Sequence, residues 1–266
     1  MVFTLEFALL FLIAALLCSC GFYKFLYFFS IGYGLAIAGQ GLFLLLYFKE
    51  HSLFSILACF VFIIFGIRLA SYLFVRERKN KVYQKVLTQI SIDNQKMNFL
   101  TKAFIWIPCF ILYVTQISPI FFGLYNQTEV TLISYIGLAL MICGVALETT
   151  ADLQKTKAKK KNPTMFCMQG LFKLVRCPNY LGEIVLWTGV LLTGFDSLVS
   201  VGQWIIALIG YIGILYVMLS GTRRLEIRQD EAYGKLKAYK AYIHKTPILI
   251  PFLPLYSVKA WKWLKW

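Results

Sequence analysis

The amino-acid sequence predicts an all-α, polytopic membrane protein with about seven transmembrane helices, and three observations support this fold class. Hydrophobic residues make up 59% of the 266 residues and charged residues only 15%, whereas an average soluble chain has about 25% charged residues. The mean hydropathy over the whole chain is +0.70. Apolar runs of spanning length recur along the chain, with the basic residues concentrated between some of them. This composition excludes a disordered chain, a collagen-like chain and a secreted disulfide scaffold.

A transmembrane helix needs about 20 mostly apolar residues to cross the hydrocarbon core. Seven stretches reach or approach this length, and the predicted spans are Val2–Cys20, Phe25–Phe48, Leu53–Val75, Ala103–Leu124, Val130–Leu147, Tyr180–Phe195 and Val201–Leu219. The first contains Glu6 and has no basic residue before its apolar core, so we interpret it as a retained helix and not a signal peptide. The sixth is short and is expected to need a polar, buried approach from its N-terminal side.

The distribution of basic residues predicts the orientation of these spans. Of the 27 Lys and Arg residues, seven lie between spans three and four, seven between spans five and six, and ten after span seven. The loops after spans four and six contain none. By the positive-inside rule, this alternation places the N-terminus outside and the C-terminus in the cytoplasm. The net charge of +15 is therefore assigned to a membrane surface, and no nucleic-acid partner is expected.

The chain is expected to form a single membrane domain over residues 1–266. Within it, residues 1–130 form the N-terminal helices, residues 131–252 a second region and residues 253–266 a basic, aromatic tail. Two further segments, Asn80–Asn98 and Arg223–His244, have charged and apolar residues at helical spacing and are expected to lie on the anionic inner leaflet.

Metal and soluble-cofactor chemistry has no recognisable motif in the sequence. The seven cysteines are scattered, mostly within apolar runs, and neither His51 nor His244 has a partner at ligand spacing. We therefore expect buried free thiols and no metal site. The sequence also contains no dinucleotide-binding glycine motif, no phosphate-binding loop and no hydrolase elbow.

Polar residues that adjoin the membrane region occur in three places. Glu148 and Asp152 lie four residues apart at the inner end of span five and so share one helix face. A helix end that emerges into water would explain them equally well. Arg223 and Arg224 directly follow span seven, and as ordinary positive-inside anchors they also have a purely structural explanation.

The third place is the segment from Arg176 to Trp187, in which Pro178 favours the first turn of a helix. The N-terminus of that helix would attract an anion such as a phosphate. Asn179, Glu183 and Trp187 then recur every fourth residue on one face that runs into the membrane. A buried ion pair that locks two helices is the alternative explanation for Glu183. Together the three places predict a cytoplasm-facing pocket for a charged nucleotide above a cleft for a lipid.

The ordered strings Asp152-Leu-Gln-Lys155, Gly170-Leu-Phe and Arg176-Cys-Pro-Asn-Tyr-Leu-Gly-Glu183, with Trp187, resemble the steroid 5α-reductase C-terminal-domain family, and most closely its bacterial branch. The tail, with Glu226, Tyr239-Lys-Ala-Tyr242 and Thr246-Pro-Ile-Leu-Ile-Pro251, is similar to the family's closing pattern. The resemblance covers roughly Glu148–Phe252.

This resemblance implies a seven-helix membrane reductase that binds NADPH at its cytosolic end and reduces an activated C=C bond in a lipid-like steroid or isoprenoid enone. The residues that it assigns to the nucleotide pocket are Asp152, Lys155, Lys159, Arg176, Asn179, Tyr180, Glu183, Glu226, Tyr239 and Tyr242. It also implies that residues 1–130 form the substrate side, that residues 131–252 form the nucleotide-binding region, and that the protein lies in a bacterial inner membrane.

Two positions depart from the family pattern. Cys177 stands where the family has histidine, so a hydrogen bond from that imidazole is lost, while the small thiol can still pack. The steroid reductases have a Gln-Glu pair in an early membrane helix, and spans one to three contain no such pair. Gln40 and Tyr72 are the candidates to polarise the substrate carbonyl. The structural alternatives are that Gln40 packs in a glycine-rich helix and that Tyr72 belongs to an aromatic belt.

Two other functions remain open from the sequence. Isoprenylcysteine carboxyl methyltransferases are similar in their Arg-His-Pro-x-Tyr string, and they would use S-adenosylmethionine in a comparable cytosolic pocket. A transporter or other non-enzymatic membrane protein is the third possibility. Transporters usually show paired halves with interrupted helices, and the sequence shows no such symmetry.

Overall fold

The computed structural model describes residues 4–49, 52–79, 84 and 97–264. Every regular element in these ranges is helical, so the all-α prediction is confirmed. The α-helices are α1 (Leu5–Cys18), α2 (Ile31–Tyr47), α3 (Leu53–Lys79), α4 (Phe99–Asn126), α5 (Leu132–Lys161), α6 (Pro178–Thr193), α7 (Val201–Tyr233) and α8 (Lys237–Lys245). Short 3₁₀ helices lie at Ser19–Phe22, Phe25–Phe29 and Gly170–Lys173. Most of the predicted amphipathic segment Asn80–Asn98 lies outside the described residues.

Five segments are long and apolar enough to cross a membrane, and they indicate an integral membrane protein. They are Leu5–Phe22, which joins α1 to the first 3₁₀ helix, and the helices α3, α4, α5 and α7. The apolar α2 is shorter, with 17 residues, and α6 has 16. The total of seven spans and the orientation of the termini stay predictions.

The second predicted span, Phe25–Phe48, was wrong at its N-terminal end, because the helix α2 begins only at Ile31. The backbone at Ser30 has φ −133° and ψ −96°, which is not helical. The preceding Phe28 carbonyl accepts a hydrogen bond from the Tyr113 hydroxyl at 2.6 Å. This contact with a distant helix replaces the local helical bond that hydropathy alone would predict.

The helices α3, α5 and α7 extend past the C-terminal ends of their predicted spans. They continue to Lys79, Lys161 and Tyr233, where the sequence places basic and polar residues. The predicted amphipathic segment Arg223–His244 is therefore not one element. Its first half continues α7, and its second half forms the separate helix α8 after a turn at Gly234.

The described residues group into two compact units. Unit 1 comprises Met1–Leu138 and Val190–Tyr211, and unit 2 comprises Ala139–Gly189 and Ile212–Trp266. The helices α5, α6 and α7 each contribute residues to both. The single membrane domain expected from the sequence stays a prediction.

Small residues set the packing of α2 on α3 in unit 1. A Cβ on Gly34 would lie 2.6 Å from the Gly66 carbonyl oxygen, and a Cβ on Gly41 would lie 2.8 Å from the Phe62 Cβ. The two helices are thus antiparallel, with Gly34 opposite Gly66 and Gly41 opposite Phe62. Glycine at such contacts lets helix backbones approach closely, as is common in membrane bundles.

The helix α4 carries Pro119 in its interior, which removes the N–H that would bond to the Thr115 carbonyl. The Ser118 hydroxyl donates to that carbonyl instead, at 2.8 Å. Gly210 of α7 also packs directly against Thr115, because a Cβ there would overlap its carbonyl group. The Thr115 carbonyl therefore has a hydrogen bond within unit 1, although Pro119 cannot donate one to it.

Unit 2 brings α5 close to α6 through a second glycine contact. A Cβ on Gly182 would lie 2.7 Å from the Glu148 backbone nitrogen, and one on Gly144 would lie 2.6 Å from the Gly182 carbonyl oxygen. The apolar core of this unit contains Cys177, Ile248, Leu249 and Val258. This core joins the start of α6 to the segment that follows α8.

Candidate functional site

The centre of the candidate site is a buried ion pair in unit 2 between residues that are fifty positions apart in sequence. Arg176 Nη2 lies 3.1 Å from Glu226 Oε1, and the two side chains are 1% and 4% exposed. Arg176 Nη2 also donates to the Tyr256 carbonyl oxygen. The other oxygen of Glu226 accepts from the Val258 backbone N–H at 3.0 Å.

The guanidinium group of Arg176 has donors that this arrangement does not use. Its Nε and Nη1 are buried, and neither has a hydrogen-bond partner within the described part of the chain. The amide oxygen Oδ1 of Asn179 is likewise buried without a partner there. Buried polar groups in native proteins are usually hydrogen-bonded. These atoms therefore fit a ligand that offers an anion to the arginine and a donor to the asparagine.

Backbone hydrogen bonds fix the position of Arg176. Its N–H donates to the Pro247 carbonyl at 2.9 Å, and the N–H of Cys177 donates to the Ile248 carbonyl at 3.0 Å. Pro178 then starts α6, because its fixed φ suits the first turn and its missing N–H is not needed there. The positive end of the α6 dipole consequently follows directly after the guanidinium group, which strengthens the attraction for an anion.

Cys177, at the position where the family pattern has histidine, packs in the apolar core of unit 2. The residue is 2% exposed. Burial raises the pKa of its thiol from 9.0 to about 12, so the group stays neutral. The small thiol thus fills this position without requiring a polar partner.

Three carboxylates besides Glu226 are buried in unit 2, and none of them is at a water-exposed helix end. Glu148 is 3% exposed, and Asp152 and Glu183 are each 7% exposed. The structural alternative of a helix end emerging into water therefore does not apply to Glu148 and Asp152. The contact of Gly182 with Glu148 brings these segments of α5 and α6 together.

The Asp-x-Gln-Lys and Gly-Leu-Phe strings meet in the structure. The Leu171 N–H donates to Gln154 Oε1 at 2.9 Å. Gly170 has φ +60°, and a Cβ on it would overlap the Gln154 side chain, so both its conformation and its surroundings require glycine.

An aromatic cluster lies between α7 and α8, and it contains Phe166, Tyr233, Tyr239 and Tyr242. The Tyr239 hydroxyl donates to Asp230 Oδ1 at 2.9 Å, and the Tyr242 hydroxyl donates to the Phe172 carbonyl at 2.7 Å. Burial is the main cause that raises the pKa of both phenols, so they remain neutral hydrogen-bonding groups.

A basic cavity of about 190 Å³ adjoins this cluster in unit 2. Its lining residues are Lys155, Lys159, Phe166, Cys167, Phe172, Leu225, Arg228, Gln229, Ala232 and Tyr233. Lys159 Nζ donates to the Tyr233 hydroxyl at 2.7 Å and to the Pro163 carbonyl at 3.2 Å. The two lysines from the sequence prediction thus line one cavity.

Sequence reasoning missed Arg228 and Gln229 as members of this cavity wall. The signal was present, because Leu225, Arg228, Gln229 and Ala232 have the spacing i, i+3, i+4 and i+7 that defines one face of a helix. Tyr180 was predicted at the site, and its hydroxyl would lie 3.3 Å from a Cβ on Gly221, in contact with α7.

Gln40 and Tyr72, the candidates for the carbonyl-polarising group, both lie in unit 1. Gln40 is fully buried in α2 and Tyr72 is half-buried in α3. In the antiparallel register of these helices, Gln40 lies near the level of Phe62, about ten residues or ~15 Å along the axis from Tyr72. The structure therefore does not bring the two candidates to one carbonyl group.

The hydrogen bonds of Gln40 also bear on this role. Its Nε2 donates to the Ala36 carbonyl at 3.1 Å and to the Tyr113 carbonyl at 3.4 Å. An amide NH₂ has two donors, so both are engaged and only the acceptor Oε1 remains. A phenol hydroxyl such as that of Tyr72 has a donor for a carbonyl oxygen, so Tyr72 stays the candidate for this task on the chemistry of its group.

A larger cavity of about 290 Å³ lies in unit 1, at the ends of α3 to α6. Its hydroxyl groups bond to one another, as in the Thr128–Ser197 pair at 2.9 Å. None of its lining residues is basic, so it offers no counter-charge to a nucleotide. In the described ranges, no group of three or more His, Cys, Asp or Glu side chains could hold a metal ion.

Part of the chain is similar to a plant steroid reductase. A stretch of 56 residues is 38% identical to the steroid 5-alpha-reductase DET2 of Arabidopsis thaliana, and it covers 20% of this chain and 21% of that protein. No solved structure matches. Residues 28–246 match the sequence pattern of a family described as "Protein of unknown function (DUF1295)". Because the match spans more than half of the chain, this protein belongs to the DUF1295 family.

Proposed function

We propose that this protein is an NADPH-dependent membrane reductase that saturates an activated C=C bond in a lipid-like enone. The observation that carries the proposal is the buried Arg176, two residues before the start of α6. Within the described residues it has one carboxylate partner, and its Nε and Nη1 have no hydrogen-bond partner. The partial similarity to a steroid 5-alpha-reductase supports a reductase of this class.

The residues of unit 2 suit the parts of such a nucleotide. Arg176 would bind a phosphate oxygen, and Lys155, Lys159 and Arg228 of the basic cavity would hold further phosphate charge. Asp152 and Glu183 would accept from ribose hydroxyls, and Asn179 Oδ1 from an amide N–H. Glu226 orients Arg176, while Tyr180, Tyr239 and Tyr242 provide aromatic surfaces and neutral hydroxyl groups. When bound, NADPH supplies a hydride to the β-carbon of an enone.

The substrate side of the proposal lies in unit 1. The Tyr72 hydroxyl would donate to the enone oxygen and so stabilise the negative charge that develops there, and a proton is then taken up at the α-carbon. Seven spans with the N-terminus outside, in a bacterial inner membrane, are part of the proposal, because they put the basic segments on the cytosolic side where the nucleotide is available.

A methyltransferase is the second candidate, and the charge of the site disfavours it. S-adenosylmethionine carries a positive sulfonium centre, whereas NADPH carries several phosphate charges. The lining of the basic cavity has two lysines and an arginine and no carboxylate, which fits the polyanion better.

The test is a binding titration of the purified, detergent-solubilised protein with NADPH and S-adenosylmethionine in parallel. We expect saturable NADPH binding that is lost or strongly weakened in Asn179→Ala and Glu183→Ala. Binding of S-adenosylmethionine alone would replace the reductase with a methyltransferase. Binding of neither ligand by folded protein would favour a non-enzymatic role.

A matched pair of variants on α7 tests the phosphate contacts. Arg228→Gln removes a charge that lines the basic cavity, and Arg224→Gln removes the same charge one turn earlier, outside it. Loss of a charge-assisted hydrogen bond costs about 1.5–3 kcal/mol, or roughly a 10- to 150-fold increase in Kd. We expect this increase for NADPH in Arg228→Gln and less than about a threefold change in Arg224→Gln, which loses only long-range attraction. Equal effects in both variants would remove Arg228 from the site.

A further inference from the structure

A second set of buried polar atoms without hydrogen-bond partners among the described residues lies in unit 1, whereas the basic cavity belongs to unit 2. Gln116 on α4 is 3% exposed, and neither Nε2 nor Oε1 has a hydrogen-bond partner within the described ranges. Gln40 on α2 is 0% exposed, and its Oε1 also has no hydrogen-bond partner among the described residues. A buried amide without partners is unfavourable, and more so between membrane helices, where water does not compensate.

These two amides belong to one place in the helix packing. Gln40 Nε2 donates to the Tyr113 carbonyl at 3.4 Å, so the side chain reaches from α2 to the backbone of α4. Gln116 is three residues after Tyr113 and lies on the same face of α4. The Tyr113 ring packs on Tyr33 of α2, with ring centroids 4.9 Å apart. Gln40 thus reaches α4 within one helical turn of Gln116.

The irregularity of α4 does not explain Gln116. Pro119 frees the Thr115 carbonyl, and an amide from the preceding turn could in principle repair such a break. The Ser118 hydroxyl already does so at 2.8 Å. Gln116 is therefore not required to satisfy the helix backbone.

We infer that Gln40 and Gln116 form the polar end of a binding site for the hydroxyl group of a lipid alcohol. A hydroxyl donates one hydrogen bond and accepts others, so it can donate to Gln40 Oε1 and accept from Gln116 Nε2 at once. A ketone oxygen only accepts and leaves Gln40 Oε1 unsatisfied. This inference rests on the proposed function for the lipid nature of the ligand, and it adds a hydroxyl group to the substrate class.

Both helices also reach the surface of the bundle: Leu42, two residues after Gln40, is 48% exposed, and Ile111, two residues before Tyr113, is 38% exposed. Residues two apart point to nearly opposite sides of a helix, so the amides lie on the inner faces of helices whose outer faces are accessible to lipid. A buried water molecule would offer the same hydrogen bonds as a hydroxyl group, and the experiment must separate the two.

The test compares three probes that differ only at one carbon, namely cholesterol, cholest-5-en-3-one and cholest-5-ene, as ligands of the detergent-solubilised protein. We expect cholesterol to bind about tenfold or more tightly than cholest-5-ene, because two hydrogen bonds to a buried hydroxyl are gained. The ketone should fall between them. Gln116→Leu should abolish the difference between alcohol and hydrocarbon.

Gln203→Leu is the matched control, because Gln203 is also a buried glutamine of unit 1. Unlike Gln116, it has hydrogen-bond partners, since its Oε1 accepts from Asn126 Nδ2 at 3.0 Å and from the Val199 N–H at 2.9 Å. It should lower thermal stability yet keep the preference for the alcohol. Gln116→Leu should not lower the stability of the ligand-free protein, since it removes an unsatisfied amide. Equal binding of alcohol and hydrocarbon by the wild type, or no binding of either, overturns the inference. A less stable Gln116→Leu with no probe preference in the wild type identifies a buried water instead.

An NADPH titration on the same preparations separates this inference from the proposed function. Gln116→Leu should bind NADPH like the wild type, because the residue lies outside unit 2. Preference for the alcohol without NADPH binding would leave the lipid site standing and remove the reductase. NADPH binding without that preference would do the reverse.

Discussion

The buried pair of Arg176 and Glu226 predicts opposite changes in stability and ligand response when Glu226 is replaced by Gln. The substitution keeps the shape and an acceptor for the Val258 N–H, but it leaves the buried guanidinium group without its counter-charge. Removing one partner of a buried ion pair costs about 3–5 kcal/mol. Because both side chains are at most 4% exposed, solvent screening does not reduce this value, whereas the retained amide oxygen brings it toward the lower limit.

We therefore expect Glu226→Gln to lower the unfolding free energy by about 3 kcal/mol, or the midpoint of thermal unfolding by roughly 6–12 °C. The ligand response should change in the other direction. A phosphate group of NADPH would supply the missing counter-charge, so saturating NADPH should raise the midpoint more in Glu226→Gln than in the wild type.

Thermal unfolding of the detergent-solubilised protein, followed by intrinsic fluorescence with and without NADPH, measures both effects. Glu231→Gln is the control, since Glu231 lies on the same helix but is exposed. A Glu226→Gln midpoint that matches the control would refute the energetic argument for the pair. A lower midpoint with an unchanged or smaller NADPH increment would show that Arg176 does not face the ligand.

Two further predictions concern the packing of unit 2. Gly182→Leu should prevent the close approach of α5 and α6, because even a Cβ would lie 2.7 Å from the Glu148 nitrogen. We expect the unfolding free energy to fall by more than about 3 kcal/mol, measured by thermal unfolding. A stability near that of the wild type would contradict the close contact. Cys177 should resist alkylation at pH 8 in a variant that keeps it as the only cysteine. Its pKa is raised to about 12 by burial, so the folded protein holds this proton more tightly than the unfolded chain. The corresponding stability is present below pH 9 and is lost as the pH rises towards 12; Cys177→Ser should lessen this alkaline loss, and an identical pH profile in both proteins would refute it.

Local patterns explain which parts of the fold were predictable. Hydropathy predicted the all-α class and most helices, because an apolar run as long as Leu53–Val75 crosses a membrane as a helix that satisfies its own backbone hydrogen bonds. Proline at 178 acts through its own backbone preference, so its place at the start of α6 follows from the sequence alone. The positive φ of Gly170 and its contact with Gln154 were visible only in the structure. The start of α2 was not predictable, because a hydroxyl from Tyr113 takes the Phe28 carbonyl.

The candidate site shows the same division. The sequence by itself determined a membrane protein with an anion-attracting segment around Arg176 and acids nearby, because charge and helix-start signals are local. Only the tertiary structure decided that Glu226 is the partner of Arg176, that Arg228 lines the basic cavity and that Gln40 reaches the backbone of α4. These pairings depend on which helix faces meet, and residues fifty or more positions apart carry no local signal of their contact.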